Sequence, residues 1–293
     1  MNRCKNSFVP FALLVCFVFL SIVPLTAQTA VRIKDKRLDE ISGMTAGRTN
    51  PSVYYVHNDS GGKSEVYVID AKGKVSAVLA LTGTVNRDWE DIAVGPDSLK
   101  GSSCIYVGEI GDNNARYDEI RLYRFREPLL TQLNAKKPKT IAVTEIDTLR
   151  IIYEDGPKDC ETLFIDPFNA DVYLVSKREM KVGLYMVRAP LSTTGTNLAE
   201  RVLTLDFPLA VGGDISVSRD KVIMKTYDKV FAWQVLPEQE IADALSQPPI
   251  ELPYKIEPQG EAICWSVKGD KYLTLSERDG KKPLYLYKYP LEK

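Results

Sequence analysis

From position 31 onward the chain alternates short apolar runs with turn-forming residues. Runs rich in Val, Ile, Tyr and Leu are bounded by Gly, Asp, Asn or Pro, which predicts strands rather than helices. The first such group covers 41–44, 52–56, 65–69 and 75–80, with Asn58-Asp59-Ser60-Gly61-Gly62 and Ala71-Lys72-Gly73 as turns. Strands that follow one another through tight turns form an antiparallel meander. This group therefore predicts a four-stranded unit.

Later stretches repeat it. Each predicted third strand carries an aliphatic-aromatic pair: Val66-Tyr67, Leu122-Tyr123, Leu184-Tyr185, Val230-Phe231 and Leu284-Tyr285. Each predicted first strand is headed by a carboxylate ahead of a short apolar run, at Glu40, Glu90, Glu161, Asp214 and Glu261. Acids and aromatics interleave in strict order and recur about every 50 to 70 residues, near the length of one four-stranded blade. The expected fold is all-β, a five-bladed β-propeller of four-stranded blades. The last unit ends one strand short, and the strand-like segment 29–36 is expected to fill that place and close the ring. Two insertions break the rhythm. The segment 130–139 reads as a surface loop, and 238–247, with Ile241, Ala242 and Leu245 at helical spacing, reads as one short helix.

The first 27 residues are excluded from the fold. Arg3 and Lys5 precede an apolar stretch over 8–23 and then Pro24-Leu25-Thr26-Ala27, the layout of a secretory signal peptide. The expected organisation is a signal peptide over 1–27 and a single propeller domain over 28–293, in a secreted or periplasmic protein with no membrane span in the mature chain. A formal net charge of −1 gives no general attraction to nucleic acid. Cys104, Cys160 and Cys264 lie on predicted strands, where a small apolar packing role accounts for them. A monomer is expected.

The chemistry is expected on one face. In a meander the start of the first strand and the end of the second lie together, so the five acids share a face with the polar turns that contain His57, Glu109, Lys177, Arg178, Lys225 and Arg278. Carboxylates gathered near one axis disfavour each other's ionisation and need protonation, nearby Lys or Arg, or a bound cation. Oxygen ligands favour a hard ion, and calcium suits a roomy site of several carboxylates. A single His in the chain disfavours zinc. The expected metal ligands are therefore Glu40, Glu90, Glu161, Asp214 and Glu261. The alternative is that these acids cap strand ends or pair with the neighbouring Lys and Arg.

The phrases Glu40-Ile-Ser-Gly, His57-Asn-Asp-Ser-Gly, Asp88-Trp-Glu-Asp-Ile-Ala, Gly108-Glu-Ile-Gly-Asp-Asn, Asp159-Cys-Glu-Thr-Leu, Gly212-Gly-Asp-Ile-Ser and Gln259-Gly-Glu-Ala-Ile resemble those of a family of exported bacterial β-propeller proteins. That resemblance implies the fold and export, and no reaction. A looser similarity is to the calcium-activated nucleotidases, five-bladed propellers with carboxylates around one calcium. It implies acidic ligands at Glu40, Glu90, Glu161 and Glu261.

Two functions stay open on these grounds. One is a calcium-dependent hydrolase of a phosphorylated or other anionic small molecule, with Arg178, Arg278 and Lys225 holding the anion and His57 or Glu109 carrying the proton. The other is a non-catalytic propeller that binds a protein, peptide or glycan on the carboxylate-rich face.

Overall fold

The computed structural model describes residues 28–96, 103–130 and 137–291. The segment read as a signal peptide lies outside the described residues. The fold is all-β apart from one short helix. After β1 (Thr29–Ile33), a first antiparallel run comprises β2 (Ile41–Ala46), β3 (Val53–Asn58), β4 (Glu65–Asp70) and β5 (Val75–Leu81). A second contains β6 (Trp89–Pro96), β7 (Ser103–Glu109) and β8 (Ile120–Arg126), then, beyond β9 (Lys139–Val143), β10 (Asp147–Tyr153). The third is β11 (Cys160–Ile165), β12 (Val172–Ser176), β13 (Gly183–Val187) and β14 (Thr196–Thr204). The fourth is β15 (Gly212–Ile215), β16 (Lys221–Lys225), β17 (Val230–Gln234) and, after α1 (Ile241–Leu245), β18 (Ile250–Leu252). The last is β19 (Gly260–Trp265), β20 (Lys271–Ser276) and β21 (Leu284–Pro290).

β1 pairs antiparallel with β21 and supplies the fourth strand of that last run, as its position in the sequence predicts. The aliphatic-aromatic pairs all fall on third strands, β4, β8, β13, β17 and β21. The insertion read as a loop over 130–139 lies for the most part outside the described residues. Its far end begins β9, which pairs parallel with the outer strand β5, so the chain after the insertion reinforces the first sheet. β10 and β14 likewise pair in parallel, merging two runs into one eight-stranded sheet. The two ends of that sheet, β6 and β11, lie side by side, so it nearly closes on itself.

Burial explains the composition of each strand. β2, β11 and β19 are buried at every position, whereas the outermost strands β10 and β14 alternate between buried and exposed. A strand covered on both faces reads as a continuous apolar run, and one covered on a single face alternates. The first strands are neighbours in a closed cycle: β2 beside β6, β6 beside β11, β11 beside β15, β15 beside β19 and β19 beside β2. Cys104 and Cys160 pack in one core cluster and Cys264 in another, as small apolar residues.

Candidate metal centre

Four of the five first strands begin with a β-bulge. Pairing with the second strand skips one residue between Ile41 and Gly43, between Trp89 and Asp91, between Cys160 and Thr162, and between Gly260 and Ala262. The skipped residues are Ser42, Glu90, Glu161 and Glu261. A bulged residue has no cross-strand partner, and the extra twist re-aims its side chain. The fourth run pairs without a skip, Gly212 opposite Lys225 and Gly213 opposite Met224.

The turn beside each bulge closes in a common way. The backbone N–H just past the second strand donates to the carbonyl just before the first: Asp59 to Glu40 (2.7 Å), Lys177 to Asp159 (3.0 Å) and Glu277 to Gln259 (2.9 Å). In the second run the donor is Gly111, one residue later, to Asp88 (3.2 Å). The side chains of Asp59, Asp88 and Lys177 are thereby set next to the bulged glutamates.

Glu90, Glu161 and Glu261 are all about 95% buried, with 4%, 4% and 5% of their surface exposed. Carboxylate oxygens of Asp59, Asp88 and Glu90 lie within 4.8 Å of one another, a separation that ligands sharing one cation can have. Burial, reinforced by the neighbouring carboxylates, pushes Asp59 and Asp88 up to about 6. Glu90 is raised further by burial and by Glu161. Gly111 seals this corner, because a Cβ there would stand 2.2 Å from Glu90 Oε1 and 2.6 Å from Asp88 Oδ2.

Two buried ammonium groups offset part of the charge. Lys177 Nζ pairs with Glu161 Oε1 and lies 5.2 Å above the Tyr227 ring. Burial disfavours its charge, but the Glu161 carboxylate more than compensates and its pKa is raised. The Tyr227 hydroxyl donates to Glu261 Oε1 at 2.9 Å. Lys225, fully buried, donates to the Gly260 carbonyl and sits 4.8 Å from the Tyr254 ring. Burial lowers it to about 8 against the pull of Glu257 and Glu261. Glu161 Oε2 is buried with no hydrogen-bond partner among the described residues.

Of the expected metal ligands, Glu90 alone belongs to the group within 4.8 Å; Glu161 and Glu261 are near enough to raise its pKa, and Glu40 and Asp214 do not join them. Glu40 is exposed, and its place in the pairing is that of Asp88, Asp159 and Gln259. The residue equivalent to Glu90 is Ser42, whose hydroxyl donates to the Glu90 carbonyl. Asp214 lies two positions further along its strand, in register with Ile92 and Leu163. Its carboxylate accepts from Ile215 N (2.9 Å) and Trp265 N (2.8 Å), and burial raises it to about 7.

The expected catalytic residues are engaged in the fold. His57 is fully buried, with Nδ1 2.9 Å from the Asn58 carbonyl and its ring edge-on to Trp89 at 5.7 Å. Burial pushes its pKa down to about 4, so it is neutral at physiological pH. Glu109 accepts from the N–H groups of Arg87 (3.1 Å) and Asp88 (3.2 Å) and pairs with the Arg87 guanidinium at 3.0 Å, anchoring the turn that carries Asp88. Arg178 pairs with Asp159 at 2.5 Å. Arg278 donates to the carbonyls of Asp35 (3.2 Å) and Leu38 (3.1 Å).

Sequence reasoning does not single out Ser42, Asp59, Asp88 or Gly111. The missing signal is an acid or amide two residues before the bulge: Asp88-Trp-Glu, Asp159-Cys-Glu and Gln259-Gly-Glu align with Glu40-Ile-Ser, not with a frame that starts at Asp39. Two cavities elsewhere, of about 530 Å³ beside Phe168 and Arg219 and about 590 Å³ beside Arg126 and Glu145, gather no such group of carboxylates among the described residues. Among the described residues no helix is long and apolar enough to cross a membrane. Comparison with protein-family models and with curated proteins gives no match.

Proposed function

We propose that the chain is an exported five-bladed β-propeller that binds a divalent hard cation, calcium, at the end of the axis where its first strands begin. The closed cycle of first strands and the fourth strand supplied by β1 support the propeller reading. Export rests on the basic and apolar pattern of the first 27 residues. The observation that carries the metal reading is the grouping of Asp59, Asp88 and Glu90 within 4.8 Å, with no ammonium or guanidinium paired to Asp59, Asp88 or Glu90 among the described residues. An all-oxygen set of two half-buried carboxylates and one buried one suits calcium, which tolerates irregular geometry and retains water.

Hydrolysis of an anionic substrate finds little support in the side chains. Arg178, Arg278 and Lys225 each bond a carboxylate or carbonyl of the fold, and His57 is fully buried. The favoured activity is binding, with the ion as the anchoring group. The test is the metal content of the purified mature protein, followed by thermal unfolding with and without chelator. About one calcium per chain and a lower Tm on chelation are expected. Metal-free protein whose Tm ignores added calcium overturns the reading.

A further inference from the structure

The end of the fold away from the bulges has a cavity of its own. The turn between β11 and β12, the turn between β15 and β16 and the link from β17 to α1 all lie at the strand ends opposite the carboxylate centre. They line a cavity of about 530 Å³, a volume within the range of ligand and side-chain sites. Its apolar surface is open to solvent. Phe168 is 72% exposed and Leu236 59% exposed, whereas Val235, which also lines the cavity, belongs to the core. Single exposed apolar residues are ordinary, but two large ones on one cavity mark a surface that something can cover.

The charges around it are unevenly paired. Arg219 serves the fold: its guanidinium pairs with the fully buried Asp166 at 2.8 Å, donates to the Gln239 carbonyl at 2.8 Å and lies 5.8 Å from the centre of the Phe168 ring. Asp220 accepts from Ser216 and Ser218 and pairs with Lys221 at 3.0 Å. Glu238 and Glu240 differ. Both are exposed, and neither carboxylate has an ion-pair or hydrogen-bond partner among the described residues. Two unpaired negative charges thus stand beside exposed apolar surface. An acidic chain or a nucleic acid would be repelled, and a basic group attracted. Because Phe168 and Leu236 are mostly exposed, the site is a surface more than a closed chamber. That suits a chain segment, which can cover both, better than a small free amine.

We propose that this cavity docks a partner polypeptide through a segment in which a Lys or Arg adjoins an aromatic or aliphatic residue. The apolar side chain lies against Phe168 and Leu236, and the ammonium or guanidinium meets Glu238 and Glu240. The surface is separate from the carboxylate centre, so it stands or falls independently of the calcium reading. Selection from a displayed library of random heptapeptides on the mature protein, with and without chelator, tests it. The expected result is enrichment of peptides that join a basic residue to an aromatic or aliphatic one, the same in both conditions. In fluorescence anisotropy an enriched peptide should bind E238Q/E240Q at least about tenfold more weakly, bind F168A more weakly too, and lose affinity as salt is raised. Both glutamates are exposed, so E238Q/E240Q should keep the Tm of the wild type, and F168A gives a second reading of the same surface. No enrichment, enrichment of peptides without a basic residue, or affinity unchanged in both variants overturns the proposal. So does binding that chelator abolishes, which would place the contact at the other end, or a chain that pairs with its own copy through Phe168 and takes no peptide.

Discussion

Asp91 and Glu90 are adjacent in the chain and do different work. Asp91 is fully buried, and its carboxylate accepts from Ile92 N at 2.8 Å, Leu163 N at 2.9 Å and Gly213 N at 3.4 Å. One side chain thus ties the second, third and fourth runs together where their first strands meet. Asp91→Ala would strand those N–H groups in the core, and a loss of about 2–4 kcal/mol is expected in chemical denaturation. Asp214 ties the fourth run to the fifth in the same manner through Trp265 N. Its pKa in the fold, near 7, lies above the ordinary value of 3.8 because of burial, despite the N–H bonds that oppose it. Its contribution is therefore full below about pH 4 and is lost as pH rises through 7. Asn cannot ionise, so D214N should gain on the wild type by on the order of 1 kcal/mol between pH 4 and pH 7, after allowance for partial exposure. Denaturation curves at both pH values would show it. A gap that stays constant or reverses contradicts the assignment.

At the level of strands and turns, the bulge decides which side chain faces the centre. Because side chains alternate along a strand, one inserted residue changes the facing set. This is why the number of units and the order of strands are legible in the sequence while the ligand set is only partly so. Val66-Tyr67 and its counterparts mark third strands directly, since apolar patterning survives any register. Glu40 and Asp214 look like Glu90 in a linear reading, but the pairing puts Glu40 level with Asp88, and Asp214 sits on a strand that pairs without a bulge, level with Ile92 and Leu163. Asp59 and Asp88 enter through turn geometry, which depends on the second strand as much as on their own neighbours. Gly111 belongs to the same turn. Gly111→Ala places a Cβ where Glu90 and Asp88 now sit, so calcium affinity should fall at least about tenfold while Tm in chelator changes little. Affinity unchanged in G111A would mean that these two carboxylates do not act together.

For the molecule as a whole, Lys177 and Lys225 offset only part of the cost of gathering these carboxylates, and the rest is recovered when a further positive charge joins Asp59, Asp88 and Glu90. Protons and calcium compete for that role. Asp59 and Asp88, both raised to about 6, must give up their protons to bind the ion. Calcium affinity is therefore expected to weaken as pH falls from 7 to 5, by roughly tenfold or more, in titrations at constant ionic strength. The stabilisation by saturating calcium, about 3 kcal/mol at a hundredfold excess over Kd, should shrink in parallel. The most direct test is anomalous diffraction from crystals of the mature protein grown with calcium. The account predicts one strong peak within coordination distance of Asp59, Asp88 and Glu90, and its absence from E90Q crystals. Density showing those carboxylates bridged by protons or water alone, or a calcium bound elsewhere and none here, would contradict it.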